Sequence, residues 1–95
     1  MARRVRISTW YARIGGRLLS GGTGRAAAVG RTVGALAAST ALPGASDYEA
    51  TVHPVGRAWV RRVGGRNIWL WYRFTDDELT LVTVTIEPPI PFEAE

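Results

Sequence analysis

Cysteine and lysine are both missing from this chain of 95 residues, and histidine occurs once. Without cysteine there is no disulfide scaffold and no thiolate metal site. A zinc site built on the lone His53 would need several carboxylates around it, and none cluster there in the sequence. The lack of cysteine suits a reducing cytoplasm, which is the expected location. Long apolar runs are also absent. The most apolar stretch, Ala35 to Ala45, is short and interrupted by Ser39, Thr40 and Pro43, so no membrane partner is expected. The opening MARRVRISTW has the basic start of a signal peptide without its apolar core. No metal and no cofactor are expected, and the length suits a single domain over residues 1–95 with one modest core.

What the chain has in quantity is arginine, which supplies all 12 of its basic residues. Their distribution says more than their number. Every arginine falls within residues 1–73, where the only acids are Asp47 and Glu49. Residues 74–95 hold six acids and no base, so a body of +10 carries a tail of −6, giving the net charge of +4. A body so charged points to a polyanion or an acidic protein as partner.

Alternation of Arg4, Arg6 and Ser8 with Val5 and Ile7 predicts a first strand within residues 1–9, one face of it buried. Residues 10–42 read as helical. Tyr11, Ile14 and Leu18 keep helical spacing, and so do Val29, Val33 and Leu36, with SGGTG between the two runs and Pro43-Gly44 after the second. Gly30 and Gly34 share a helix face and either permit a close helix contact or reflect only the low complexity of the stretch. Ser46 and Glu49 have the spacing of a capping box, which predicts one short turn over Asp47 to Val52.

Residues 57–86 read as a meander. AWVRRV, IWLWYRF and LTLVTVTI are β-branched and aromatic, and turns at Gly64–Asn67 and Thr75–Glu78 separate them. The prolines at 88, 89 and 91 make residues 87–95 an acidic, extended tail. The fold class is therefore α+β: an N-terminal strand, a helical hairpin and a three-stranded antiparallel meander.

The turns set a register in which Phe74 faces Leu79, Tyr72 faces Leu81, Trp71 faces Val82, Arg62 faces Trp69 and Val60 faces Trp71. One sheet face then carries Val63, Ile68, Leu70, Tyr72, Phe74, Leu79 and Leu81, with Trp59 and Arg61. The other carries Val60, Arg62, Trp69, Trp71, Arg73, Val82, Val84 and Ile86. Two helices can cover only one of these, so the Trp–Arg face is the expected partner-facing surface. Its alternatives are a buried core with snorkelling arginines, or a homodimer interface. Arg61, Arg62, Arg66, Trp69, Trp71 and Arg73 are the candidates for binding a macromolecule, because guanidinium planes grip phosphates and carboxylates while indoles stack on bases. The acidic tail from Glu87 is placed near this surface, where it would compete with the partner.

Catalytic signals are weak. SGGTGR at 20–25 lacks the ending of a phosphate-binding loop, Asp76, Asp77 and Glu78 read as a solvated turn, and His53 is a general acid or base by its type alone.

The order β-α-α-β-β-β with AWVRRVGGRNIWLWYRFTDDELTLVTV resembles the RelE/ParE superfamily of bacterial toxins. The matching positions are Trp59, Arg61 or Arg62, Gly65, Tyr72, Arg73, Asp76, Asp77 and Leu79 to Val84, and VRISTWYARIGGRLL resembles the family's first strand and helix. The resemblance implies the toxin of a type II toxin–antitoxin pair, held by a cognate antitoxin that wraps it. Its target would be DNA gyrase, or the ribosome and its mRNA. If the chain is an enzyme, the resemblance makes it an RNA endonuclease. Trp69 and Val60 stand where the family's ribonucleases carry bases, so their catalytic set is mostly missing and no catalytic residue is assigned. The other expectation is a non-toxic interaction module that keeps the fold.

Overall fold

A computed structural model describes residues 2–20, 24–52 and 56–86. It is an α+β fold in which two helices accompany one five-stranded mixed sheet. In chain order the elements are β1 (Arg4–Ile7), α1 (Thr9–Ser20), α2 (Arg25–Ala38), β2 (Tyr48–Val52), β3 (Gly56–Arg62), β4 (Trp69–Phe74) and β5 (Glu78–Thr85). The sheet order is β1-β5-β4-β3-β2. β2 to β5 form an antiparallel meander, while β1 lies parallel to β5.

The meander has one strand more than the sequence signals suggested. Tyr48–Val52 is an edge strand and not a short turn, with Ala50 opposite Ala58 and both buried. The capping-box spacing was overridden by pairing: the alternation of Tyr48, Ala50 and Val52 with Glu49 and Thr51 is a strand period once β3 is beside it. Glu49 is instead held by Arg57 at 3.1 Å.

β4 is the central strand, and Trp69 to Tyr72 are all buried. A strand covered on both faces needs a continuous apolar run, which Ile68 to Tyr72 supplies. Four of the expected pairs are present: Phe74–Leu79, Tyr72–Leu81, Arg62–Trp69 and Val60–Trp71. The fifth is not. A register shift next to Trp71 puts Thr83 opposite it, and Val82 becomes the extra residue of a β-bulge. Beyond that point every side chain of β5 changes face relative to strict alternation, so Val84 joins the helix-covered core.

That core joins Ala28, Val29, Leu36 and Ala37 of α2 to Val63, Ile68, Leu70, Tyr72, Leu79, Leu81 and Val84 of the sheet layer. Leu36, Leu70, Tyr72 and Leu79 are fully buried, and each buried aliphatic contributes about 1.5–3 kcal/mol. α1 adds Tyr11. Ser8 starts α1 as its N-cap: its Oγ accepts the Tyr11 N–H at 3.0 Å and donates to the Val82 carbonyl at 2.6 Å. α2 ends at Ala38, before Pro43, where the Ser39 N–H bonds the Leu36 carbonyl. Gly30 and Gly34 face open space, so they mediate no close helix contact.

β1 does not bury one face as its alternation suggested. Val5 is 43% and Ile7 59% exposed. The reason is position: β1 is an end strand, and the core cluster stops at Leu79 and Leu81 beside it.

Candidate functional site

The six arginine and tryptophan candidates divide into three environments. Arg61 turns to the helix-covered face and is locked there. Its Nε and Nη2 donate to Oδ1 and Oδ2 of Asp47 at 2.7 and 2.8 Å, a bidentate pair whose acid side chain is fully buried. Oδ2 also accepts the Gly44 N–H at 2.8 Å and a short hydrogen bond from the Tyr72 hydroxyl. Burial alone would raise the Asp47 pKa, but these donors outweigh it and hold the carboxyl below its ordinary value. The pairing raises Arg61 in turn, and burial with the Asp47 bond raises Tyr72. Gly44 is needed for the approach, because a Cβ there would lie 2.2 Å from Nη2 of Arg61. Arg61 is therefore fixed in place, with two of its N–H groups committed to Asp47.

Trp69 and Trp71 are 8% and 2% exposed, so the expectation that they present an open surface does not hold. They belong to a second core on the other sheet face, with Ala50, Ala58, Val60 and Val82 and with Tyr48 packed alongside. The described members of this cluster all come from β2 to β5, and none from a helix. The Trp71 Nε1–H donates to Thr85 Oγ1 at 3.1 Å, which satisfies the indole where it is buried. The alternation placed both tryptophans on the correct face; what failed was the step from lacking a helix to being exposed. The acidic tail expected near this face and His53 lie outside the described residues.

Arg62 and Arg73 are exposed. Arg62 stacks over the Trp69 ring with its Cζ 5.5 Å from the centroid, and donates to the Arg66 carbonyl and Asn67 Oδ1, each at 2.9 Å. It thus ties down the β3–β4 turn. Arg73 donates from Nε to the Arg57 carbonyl at 3.0 Å. Arg66 reaches from that turn toward Gly24, at the start of α2. Of the expected contact set, Arg62 and Arg73 keep exposed cations on the tryptophan side of the sheet, and Arg61 turns to the other face.

An edge that the candidate set omitted is the more open feature. Arg4 and Ser8 direct their N–H groups to Asp77 and Leu81 on the β5 side, whereas Arg3 directs its own the other way, to Ala37. In a parallel ladder alternate residues face the partner, so Val5 and Ile7 turn their backbone groups outward. Their side chains are exposed too, and Trp10, at 38%, follows at the start of α1. Arg4 and Arg6 share one carboxylate, Glu78, each at 3.6 Å, which leaves the pair with surplus positive charge. Arg13 and Arg17 lie further along α1 in a groove with Trp10 and Ile14. The signal for this edge was in the sequence: RVRI is short and basic.

Among the described residues, no group of three His, Cys, Asp or Glu side chains is placed to hold a metal ion, and no helix is long and apolar enough to cross a membrane. The chain matches no family model, no curated protein and no solved structure.

Proposed function

We propose that this chain is a toxin of the RelE/ParE-like kind that acts by gripping a macromolecular target, and that an antitoxin segment neutralises it by adding a strand to β1. The observation that carries this reading is the open edge itself. An exposed strand edge with outward backbone groups is a template for another strand, and proteins that keep one usually have a use for it. Here the edge is apolar at Val5 and Ile7 and basic at Arg4 and Arg6, so its complement is an extended segment alternating apolar and acidic residues. The order of a strand, two helices and an antiparallel meander supports the toxin resemblance at the level of architecture.

Binding is preferred over RNA cleavage for a chemical reason. Arg61 is paired with Asp47 on the helix-covered face, and Trp69 and Trp71 are buried. Arg62 and Arg73 are exposed on the tryptophan side, and an arginine does not give up its proton at neutral pH, so it is no general base. Gyrase-type inhibition fits this better than a ribosome-dependent endonuclease.

Inducible expression in bacteria, with growth and mRNA integrity followed together, tests the reading. The expected result is arrest of growth with mRNA intact, relieved by an acidic antitoxin encoded beside the gene. Ile7→Pro should keep the arrest and lose the relief, because the Ile7 N–H points away from β5 and its removal blocks an added strand without breaking the existing ladder. No arrest in any host removes the toxin reading, and arrest with fragmented mRNA restores the nuclease.

A further inference from the structure

A groove of about 290 Å³ lies between α2 and the end of β3, and Arg31, Thr32, Arg61 and Gly64 are among its lining residues. Ala28 and Ala35 share the α2 side of it. Positions 28, 31, 32 and 35 fall on one helix face, and both alanines stop at Cβ, which leaves the space open. Arg61 closes the groove from the sheet, and its orientation is fixed before any ligand arrives. Two of its five N–H groups are held by Asp47, whose carboxylate is buried on the protein side. The remaining donors point in directions set by that fork, so a second oxyanion would meet them without further loss of side-chain freedom. Arg31 stands exposed on the opposite wall, in a helix that contains no acid. Arg62 borders the groove as well, but its guanidinium is committed to Arg66, Asn67 and the Trp69 ring.

Among the described residues, no acidic side chain lines this groove. Two planar forks arriving from different elements suit a tetrahedral oxyanion better than a carboxylate, which a single fork saturates. We propose that the groove between α2 and β3 is a binding site for a phosphate monoester, clamped between Arg31 and the pre-oriented edge of Arg61. The volume is at the small end for ligand sites, so the phosphate and its first substituent fill it and the remainder of the ligand lies outside. This site is separate from the β1 edge and does not depend on the toxin reading.

Titration of the ¹⁵N-labelled full chain with inorganic phosphate, followed by amide and arginine Nε–H resonances, tests the proposal. Saturable shifts are expected at Thr32, Gly64 and the Arg31 Nε–H, and equal ionic strength of sodium chloride should not reproduce them. Arg31→Gln should weaken binding on the order of tenfold, the scale of one lost charge-assisted hydrogen bond. Ala35→Met, which fills the groove with a residue that is still a good helix former, should do the same while the rest of the spectrum stays in place. A 5′-mononucleotide and a phosphoserine peptide then separate the two sources of such a group; tighter binding of either than of free phosphate supports the site. Absence of saturable shifts, identical shifts with chloride, or shifts unchanged in both variants overturns it. Arg61 itself is left intact throughout, because its loss would strand Asp47.

Discussion

Arg61 and Arg62 are neighbours on β3, and the pleat sends them to opposite faces of the sheet, where the same side chain does different work. On the helix-covered face Arg61 completes a buried network with Asp47, Tyr72 and Gly44. On the tryptophan face Arg62 lies over an indole and binds the carbonyl of its own turn. Position relative to the helices, and not residue type, decides which arginine is structural. Equal charge therefore carries unequal stability, and substitutions at the two faces should separate by several kcal/mol.

Asp47→Ala is expected to have the largest effect. It leaves Arg61 largely buried without its counter-ion, and breaking one partner of such a pair costs about 3–5 kcal/mol. Chemical denaturation measures it; a loss below about 1 kcal/mol would show that water takes the place of Asp47 easily. The same pair predicts a pH dependence. Because its folded-state pKa is lowered, Asp47 contributes stability that is complete above its unfolded value near 3.8 and is lost as pH falls through the folded value. The melting-temperature gap between the native chain and Asp47→Asn should therefore be wide at neutral pH, begin to close only below about pH 4, and shrink further as pH falls through the lowered folded-state value. A gap that stays constant into acid would mean that Asp47 acts through shape and not through charge.

Next in size is Leu70→Ala. Leu70 is fully buried in the helix-covered core, where truncation to alanine costs about 2–5 kcal/mol. On the other face Trp71→Phe keeps most of the ring but loses the bond to Thr85, for about 1–2 kcal/mol. If the tryptophan substitution proves the more damaging, the second core is the dominant one and the comparison of faces is reversed.

Much of this division was legible in the sequence, and the parts that were not have local causes. The turn residues Gly64–Asn67 and Thr75–Glu78 fixed four of five cross-strand pairs, because tight turns leave little freedom of register. The bulge at Val82 was invisible, since LTLVTVTI alternates as well with an extra residue as without one. β2 was hidden because Asp47 to Val52 carries a helix-start signal, and its strand pattern wins only when β3 supplies hydrogen bonds. Asp47 and Glu49 are the only acids among residues 1–73, and their pairing with Arg61 and Arg57 came only with the fold. The candidate contact set was read from residue type, and type cannot tell Arg61 from Arg62.

A smaller effect, of opposite sign, tests how finished the helical layer is. Gly34 is exposed within α2, and a Cβ there meets nothing within 4 Å. Gly34→Ala should therefore stabilise the chain by about 0.5–1 kcal/mol through helix propensity alone. A loss of stability would mean that α2 packs against something the glycine leaves room for.

The smallest change is expected from Arg62→Ala combined with Arg73→Ala. Both side chains are exposed; Arg62 holds the turn at Arg66 and Asn67, and Arg73 bonds the Arg57 carbonyl among its contacts. Exposed bonds of this kind are each worth a fraction of a kcal/mol, so the double variant should lose less than about 1 kcal/mol. Near-UV circular dichroism should stay close to native, because Trp69 and Trp71 are packed with Val60 and Val82 and not held by the arginines alone. If the pair grips a target, the variant should lose growth arrest while it keeps its fold. Marked unfolding would instead mean that the Arg62 stack over Trp69 is the cover of the second core, and that this face has no exposed cation to spare for a partner.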